Sequence, residues 1–352
     1  MKKSVNVGKI KIGGSAKISI QSMTNTDTLN AEATTAQIDA LAKRGCDIVR
    51  VAVSSKEEVE ASKTIVAASK VPLVADIQFD YRLAIACADI GYNKIRFNPG
   101  NIGGEEKVKD LVAACKANGV PIRIGVNGGS LEKEIIEKYG NCAEGLAESA
   151  LSHVKILENC GFYDIVVSVK SSDVQIMTQA NRILNERCPY PLHIGVTESG
   201  AYEEGLVKSA VGIGALLLDG IGDTLRVSLS GDPLQEIDAA KRILRAVGLD
   251  KDYCEIVSCP TCSRCRYDMM SVVDKVRELT KNVNKRMKIA VMGCVVNGPG
   301  EARDADLGVA GGKDKAVIFK KGEIVATLKS EEIIPYMEKA IQELTENDNG
   351  SN

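Results

Sequence analysis

DIVRVAV (47–53), VPLVADIQ (71–78), KIRFNPG (94–100) and VPIRIGVN (120–127) are the stretches that decide the fold. Each is a short run rich in β-branched residues. A longer, helix-patterned stretch separates it from the next, which is the rhythm that parallel β/α units require. The same rhythm continues upstream in ISIQSMT (18–24) and downstream in DIVVSVK (164–170), LHIGVTE (192–198) and DTLRVSL (223–229), so there are eight runs. Between them lie stretches such as AEATTAQIDALAKRG and SALSHVKILENCG, several closing on a glycine suited to a helix C-cap. Eight strands, each followed by a helix, predict an α/β protein built on a (β/α)8 TIM barrel rather than an open doubly wound sheet. The segment SLEKEIIEKYGNCAEGLAESALSHVKILENCG predicts an extra helix between strands five and six, and the first dozen residues predict a hairpin under the barrel floor.

After EIDAAKRILRAVG (236–248) the rhythm stops, and KDYCEIVSCP opens a new segment. The expected division is a barrel over residues 1–250 and a small α/β domain over 251–352, with strands in KIAVMG and AVIFKKGEIVATL. The formal charge of −2 offers no bulk field for nucleic acid or an anionic membrane, and 4% aromatics without tryptophan make no stacking platform. No apolar run approaches a membrane span, and MKKSVNVGKIKIGG lacks the apolar core of a signal peptide. Eleven cysteines in a helix-and-strand sequence point to a reducing compartment, the cytoplasm. Six of them (Cys46, Cys87, Cys115, Cys142, Cys160 and Cys188) stand singly in apolar or alanine-rich segments and read as small buried hydrophobes.

Chemistry in such barrels sits at the C-terminal ends of the strands. Those ends carry Arg50, Asp76 with Gln78, Arg96 with Asn98, Arg123 with Asn127, Lys170, Glu198, and Arg226 with Ser228. Five cations from five strands converge on one mouth, which suits a small, multiply anionic ligand such as a diphosphate. Each could instead pair with an acid at the rim. The glycine-rich stretches PGNIGG (99–104) and VNGGS (126–130) can add backbone donors. No nucleotide-binding glycine fingerprint and no Ser/His/Asp arrangement is present. Glu198, facing the cations, is the carboxyl placed to move a proton.

The second domain carries SCPTCSRC, with Cys259, Cys262 and Cys265, and then MGCVVNGPGEA, with Cys294 and Glu301. A close thiol pair with a distant third in a glycine-rich loop suits an iron–sulfur cluster or zinc. From the residues alone the fourth ligand stays open among Cys254, Cys265, Glu301 and none. A zinc-ribbon barrel enzyme, and a zinc-knuckle nucleic-acid module that the neutral charge disfavours, are the alternatives.

SCPTCSR and GCVVNGPGEA, with PLVADIQFDYRLA, RFNPGNIG, RIGVNGGSLE, LHIGVTESG and DGIGDTLRVSLS, closely resemble the bacterial 4-hydroxy-3-methylbut-2-en-1-yl diphosphate synthase family along nearly the whole chain. The resemblance implies an iron–sulfur oxidoreductase of the non-mevalonate isoprenoid pathway, in the compact form with a barrel and a cluster domain. It implies a [4Fe–4S] cluster on Cys259, Cys262, Cys294 and Glu301, leaving Cys265 out. It also implies a cyclic diphosphate substrate, 2-C-methyl-D-erythritol 2,4-cyclodiphosphate, gripped by Arg50, Arg96, Arg123, Lys170, Arg226 and Ser228, with Glu198 near the reacting carbons. A flavodoxin or ferredoxin electron donor and a head-to-tail homodimer complete the expectation. The chain departs from the family pattern at Gln78, where histidine is commoner, and at the extra thiol Cys265.

Overall fold

The computed structural model describes residues 2–98, 105–265, 267–281, 283, 285–295, 298–312 and 315–346. The PGNIGG stretch (99–104) lies outside them. The chain forms two compact units, Met1–Val247 and Gly248–Asn352.

In the first unit the hairpin β1 (Ser4–Val7) and β2 (Ile10–Gly13) precedes eight parallel strands. These are β3 (Ser19–Met23), β4 (Ile48–Ala52), β5 (Leu73–Asp76), β6 (Lys94–Phe97), β7 (Ile122–Asn127), β8 (Ile165–Lys170), β9 (His193–Ile194) and β10 (Thr224–Leu225). Their order is β8-β7-β6-β5-β4-β3-β10-β9, and a parallel bridge between Val167 and Leu192 closes the ring into a barrel. Alternation sorts the side chains. Ile20, Val49, Val51, Ile95, Ile122, Ile124, Val167 and Val169 pack outward in one apolar core beneath the helices, while Gln21, Arg50, Lys94, Arg96, Arg123 and Lys170 occupy the intervening positions.

Local chemistry starts and stops the helices. Asn30, Ser55 and Asp173 cap the N-termini of α1 (Ala31–Arg44), α2 (Lys56–Ala68) and the helix Val174–Arg187, each side chain accepting from a backbone N–H of the first turn. Gly45 ends α1 in the left-handed conformation at φ 97°. The hairpin plugs the barrel floor: Val7 and Ile12 pack on Ile48 and Val74, which lie near the starts of β4 and β5.

Two runs expected as seven-residue strands, LHIGVTE and DTLRVSL, pair over only two residues each. Past Ile194 and Leu225 the backbones leave the ladder and crowd together. A Cβ on Gly195 would stand 2.3 Å from the Arg226 carbonyl oxygen and 2.8 Å from Lys170 Nζ, so only glycine fits there.

The extra helix after β7 runs from Lys133 to Tyr139. It is pinned to the following helix, Ala143–Asn159, through Glu132, whose carboxylate accepts from Ser149 Oγ at 2.8 Å and meets His153 Nε2 at 2.6 Å. His153 is therefore buried rather than on the surface.

The second unit is a five-stranded sheet in the order β11 (Cys254–Ser258), β12 (Met287–Met292), β13 (Leu307–Gly311), β14 (Lys315–Lys320) and β15 (Glu323–Lys329). The first three strands are parallel and the last two join antiparallel. The helices Met269–Thr280 and Ile333–Glu346 cover one face, and Ala302, Ala305 and Phe319 form a smaller cluster with Ala290, Met292 and Ala310. Gly308 has no side chain because the Phe319 ring of the paired strand lies on it. No helix among the described residues is long and apolar enough to cross a membrane.

Glu132 carries a pH prediction. Partial burial alone would raise its pKa, but hydrogen bonds from His153, its own backbone and Ser149 bring it down to about 2 from 4.5. A carboxylate depressed in the folded state contributes stability above its unfolded pKa and loses it as pH falls toward the folded value. Thermal melts of wild type and Glu132→Gln should therefore differ most near neutrality and converge as pH drops from about 5 to about 2. A gap that is constant over this range would exclude the ionic contribution.

Candidate active site

The C-terminal ends of the barrel strands gather one electrostatic site. Arg50 from β4, Asp76 from β5 and Arg96 from β6 form a chain: Arg96 Nη1 to Asp76 Oδ1 is 3.0 Å and Arg50 Nε to Asp76 Oδ2 is 3.8 Å. Burial alone would raise the Asp76 pKa, but Arg50, Arg96 and Arg123 together pull it below the usual carboxylate range. Arg96 also donates to the Gly125 carbonyl oxygen at 3.4 Å. A Cβ on Gly125 would stand 2.7 Å from Arg96 Nε, so a side chain there would displace the guanidinium.

Arg123 follows on β7. It is buried, and its Nε and Nη1 have no hydrogen-bond partner among the described residues. Lys170 ends β8, and beyond β10 come Arg226 and Ser228. Asn98 is buried just past β6, and Asn127 ends β7, half-buried. The structure thus brings the five expected cations and Asp76 to one interior. The Asp76 carboxylate is engaged by two of these arginines, Arg50 and Arg96.

Burial lowers Arg50 to about 10, opposed by Asp76 and reinforced by Arg226 and Arg96. Burial likewise drives Arg123 and Lys170 well below their ordinary values, with neighbouring cations adding to it. A guanidinium keeps its proton under these conditions, so for the arginines the effect is a strained, under-compensated charge that an anion would relieve.

Two functional-looking residues escape a reading by strand ends. Glu236 lies in the first turn of the helix Pro233–Ala246, yet it is buried. It accepts from Arg226 Nε at 3.1 Å and Nη2 at 3.0 Å, from Ser22 Oγ at 2.7 Å and from Leu229 N at 3.2 Å. Its signal was available, because it shares a helical face with the buried Ala240 and Ile243. Lys94, two residues before Arg96 on β6, is fully buried, and its Nζ has no partner among the described residues. Period-two alternation placed it on the same face. His193 and Gln21 are buried with unpartnered polar atoms as well.

Glu198 lies in the loop after β9, exposed, with a backbone φ of 50°. Its carboxylate makes no ion pair or hydrogen bond among the described residues. Gln78, just past β5, is exposed.

The second unit carries its own site, again at the C-terminal ends of parallel strands. Cys259 and Cys262 follow β11, Cys294 follows the adjacent β12, and Glu301 ends the short turn of helix Gly298–Glu301. With Pro260 and Arg264, these four side chains line a cavity of about 190 Å³. Tyr267 fastens the loop: its hydroxyl donates to the Met292 carbonyl at 2.9 Å, and its ring lies on Gly311. The Gly293 N–H donates to Cys259 Sγ at 3.1 Å.

The two further cysteines near the loop stand at different distances from it. Cys254 begins β11, about 16 Å along an extended strand from Cys259. Cys265 lies nearer: its Sγ approaches the Tyr267 carbonyl oxygen at 3.4 Å, and at Gly293, where a Cβ would stand 3.2 Å from it, it flanks Cys259. Three thiols and one carboxylate around one cavity fit a soft, polynuclear metal group. Among the described residues no three His, Cys, Asp or Glu side chains converge on a single-ion site. Of the six scattered cysteines, Cys46, Cys87, Cys115 and Cys188 are buried, while Cys142 and Cys160 are half-buried.

Comparison with known proteins bears on both units. The family model for the GcpE TIM-barrel domain matches residues 2–241, and that for the GcpE protein C-terminal domain matches residues 255–343. The chain is 53% identical to the 4-hydroxy-3-methylbut-2-en-1-yl diphosphate synthase (flavodoxin) of Clostridium perfringens, over 97% of this chain and 98% of that protein. It is 51% identical to the protein of the same name from Thermotoga maritima, over 98% of this chain and 99% of that one. Among solved structures, dihydropteroate synthase from Stenotrophomonas maltophilia superposes with a TM-score of 0.51 at 16% identity, covering 69% of this chain and 97% of that chain. N-acetylneuraminic acid synthetase from Leptospira borgpetersenii gives 0.50 at 13%, covering 80% and 99%. These two share the fold alone. With both of its units matched and about half of its residues identical to full-length relatives, the chain belongs to the GcpE family, the 4-hydroxy-3-methylbut-2-en-1-yl diphosphate synthases.

Proposed function

We propose that this protein is an oxidoreductase that opens and reduces 2-C-methyl-D-erythritol 2,4-cyclodiphosphate to 4-hydroxy-3-methylbut-2-en-1-yl diphosphate. The reaction consumes two electrons and two protons and releases water. The observation that carries the reading is the buried cation set of the barrel mouth, with too few carboxylates to balance it, in a chain of this family. Arg50, Arg96, Arg123, Lys170 and Arg226 hold the diphosphate, with Ser228, Asn98 and Asn127 as neutral donors. Asp76 and Glu236 hold the arginines at their angles, so the fork geometry exists before the substrate arrives. Glu198, exposed and without an ion-pair partner among the described residues, supplies the proton with which the departing hydroxyl leaves as water.

Cys259, Cys262, Cys294 and Glu301 would hold a [4Fe–4S] cluster, which when bound supplies the two electrons one at a time. Three thiols and one carboxylate lining one cavity, in a chain of this family, support an iron–sulfur group. Glu301 is the harder oxygen donor of the set, and the Gly293 N–H steadies the Cys259 sulfur. Flavodoxin is the proposed electron donor, in line with the relatives' names. A head-to-tail homodimer is the proposed assembly, since electrons received at one unit must reach a substrate held by the other. Eleven free cysteines support a reducing, cytoplasmic setting.

Elemental analysis of anaerobically purified protein tests the metal. Iron and acid-labile sulfide in equal amounts, with a brown colour, are expected; a colourless zinc protein would sink the reading. Glu301→Ala should keep the fold by circular dichroism yet lose cluster on dilution or chelation faster than wild type. Equal retention would remove Glu301 from the ligand set. For the mouth, Lys170→Met is the cleaner probe, because Arg226→Ala would strand the buried Glu236 carboxylate. Losing one charged phosphate contact should raise KM by roughly 10- to 100-fold. An unchanged KM would take Lys170 out of the phosphate site.

A further inference from the structure

Among the described residues, Glu198 and Lys321 are the non-glycine residues with positive φ, at 50° and 49°. Lys321 sits beside Gly322 in the tight turn between β14 and β15, where a left-handed backbone closes the hairpin. Glu198 has no hairpin to close. It stands in the loop between β9 and the helix Tyr202–Leu218. Such a conformation is costly for a non-glycine residue, and it persists where the surroundings over-determine it.

The surroundings are specific. Ser199, the next residue, is buried, and its hydroxyl donates to the Ser228 carbonyl oxygen in the neighbouring loop. Ser230 N donates back to the Gly200 carbonyl oxygen at 3.1 Å. Gly205, on the helix that follows, keeps the space open: a Cβ there would stand 3.0 Å from Ser199 Oγ and 2.6 Å from Leu229 Cδ2. The receiving loop is itself anchored, because Glu236 takes both Arg226 and the Leu229 N–H. One hydrogen-bonded path therefore runs from the buried carboxylate of Glu236, through the loop of Arg226 and Ser228, across Ser199, to the strained backbone that presents Glu198.

We propose that Ser199 is a positioning residue that fixes the Glu198 carboxyl relative to the phosphate-holding loop Arg226–Ser228. The acid and the phosphate grip are thereby set as one piece, so a substrate seated by its phosphates finds the proton donor already in place. The proposal rests on the reading of Glu198 as the proton donor. Its chemical content is small and definite: one buried hydroxyl, with no contact to substrate of its own, acting through the backbone of its neighbour.

A mutant cycle on the cluster-loaded enzyme tests it. Glu198→Gln and Ser199→Ala are made singly and together, with Ser199→Thr as the conservative control. Ser199→Ala is expected to lower kcat about 10- to 100-fold with KM nearly unchanged, as misplacement of a reacting group does. Ser199→Thr should recover most of the loss. In the Glu198→Gln background the Ser199→Ala change should add nothing, because the group it positions is already disabled. A merely structural serine would reduce turnover by the same factor in both backgrounds, and that result overturns the proposal. Glu198→Gln at the wild-type rate would overturn the reading of Glu198 and the proposal with it. A slowed Glu198→Gln beside an unaffected Ser199→Ala would overturn the proposal alone.

Discussion

Six cationic side chains share the interior of this barrel with two carboxylates, and that imbalance is the constraint on which the rest depends. Arg50, Lys94, Arg96, Arg123, Lys170 and Arg226 are all largely withdrawn from water, where like charges repel far more strongly than at a surface. Asp76 and Glu236 each take up arginine charge and hold it in place, but they leave an excess. An arginine cannot shed its proton to escape, whereas a lysine can. Burial and surrounding cations push Lys94 and Lys170 toward the uncharged amine. The cations of the mouth thus exceed the carboxylates beside them, an excess that a polyanion can offset.

The second unit solves the opposite problem. Its sulfur and carboxylate donors are held by loops at the ends of β11 and β12, where backbone is free of the ladder and can shape a cavity. Tyr267 on Gly311 and the Gly293 N–H on Cys259 show that the glycines there serve close approach rather than flexibility. Soft metal chemistry and hard anion chemistry are therefore kept on separate frameworks, each with the ligand set its own ligand demands.

The barrel was legible because β-branched runs at regular intervals leave few alternatives, and the cations stood out because charge at strand ends is not needed for packing. Spacing and family resemblance together single out Cys259, Cys262, Cys294 and Glu301, which the structure gathers around one cavity, while spacing alone leaves Cys254 and Cys265 open and position along β11 sets Cys254 apart. The lengths of β9 and β10 were overestimated because apolar alternation continues past the point where Gly195 brings two backbones together. Glu236 shows its burial only in the helical periodicity it shares with Ala240 and Ile243, since an acid in a first helical turn usually faces solvent and the helix dipole accounts for it. Lys94 was passed over for a similar reason: attention to strand ends ignores what the same face carries two residues deeper. The left-handed Glu198 backbone leaves no trace in composition at all, since glutamate is not a residue that asks for it.

The hairpin that plugs the barrel has an effect beyond packing. With Val7 and Ile12 pressed on Ile48 and Val74, the cylinder is a cup rather than a tube. Anything that enters must leave by the rim it came in through. A diphosphate product then departs past the same strand ends that receive the next substrate.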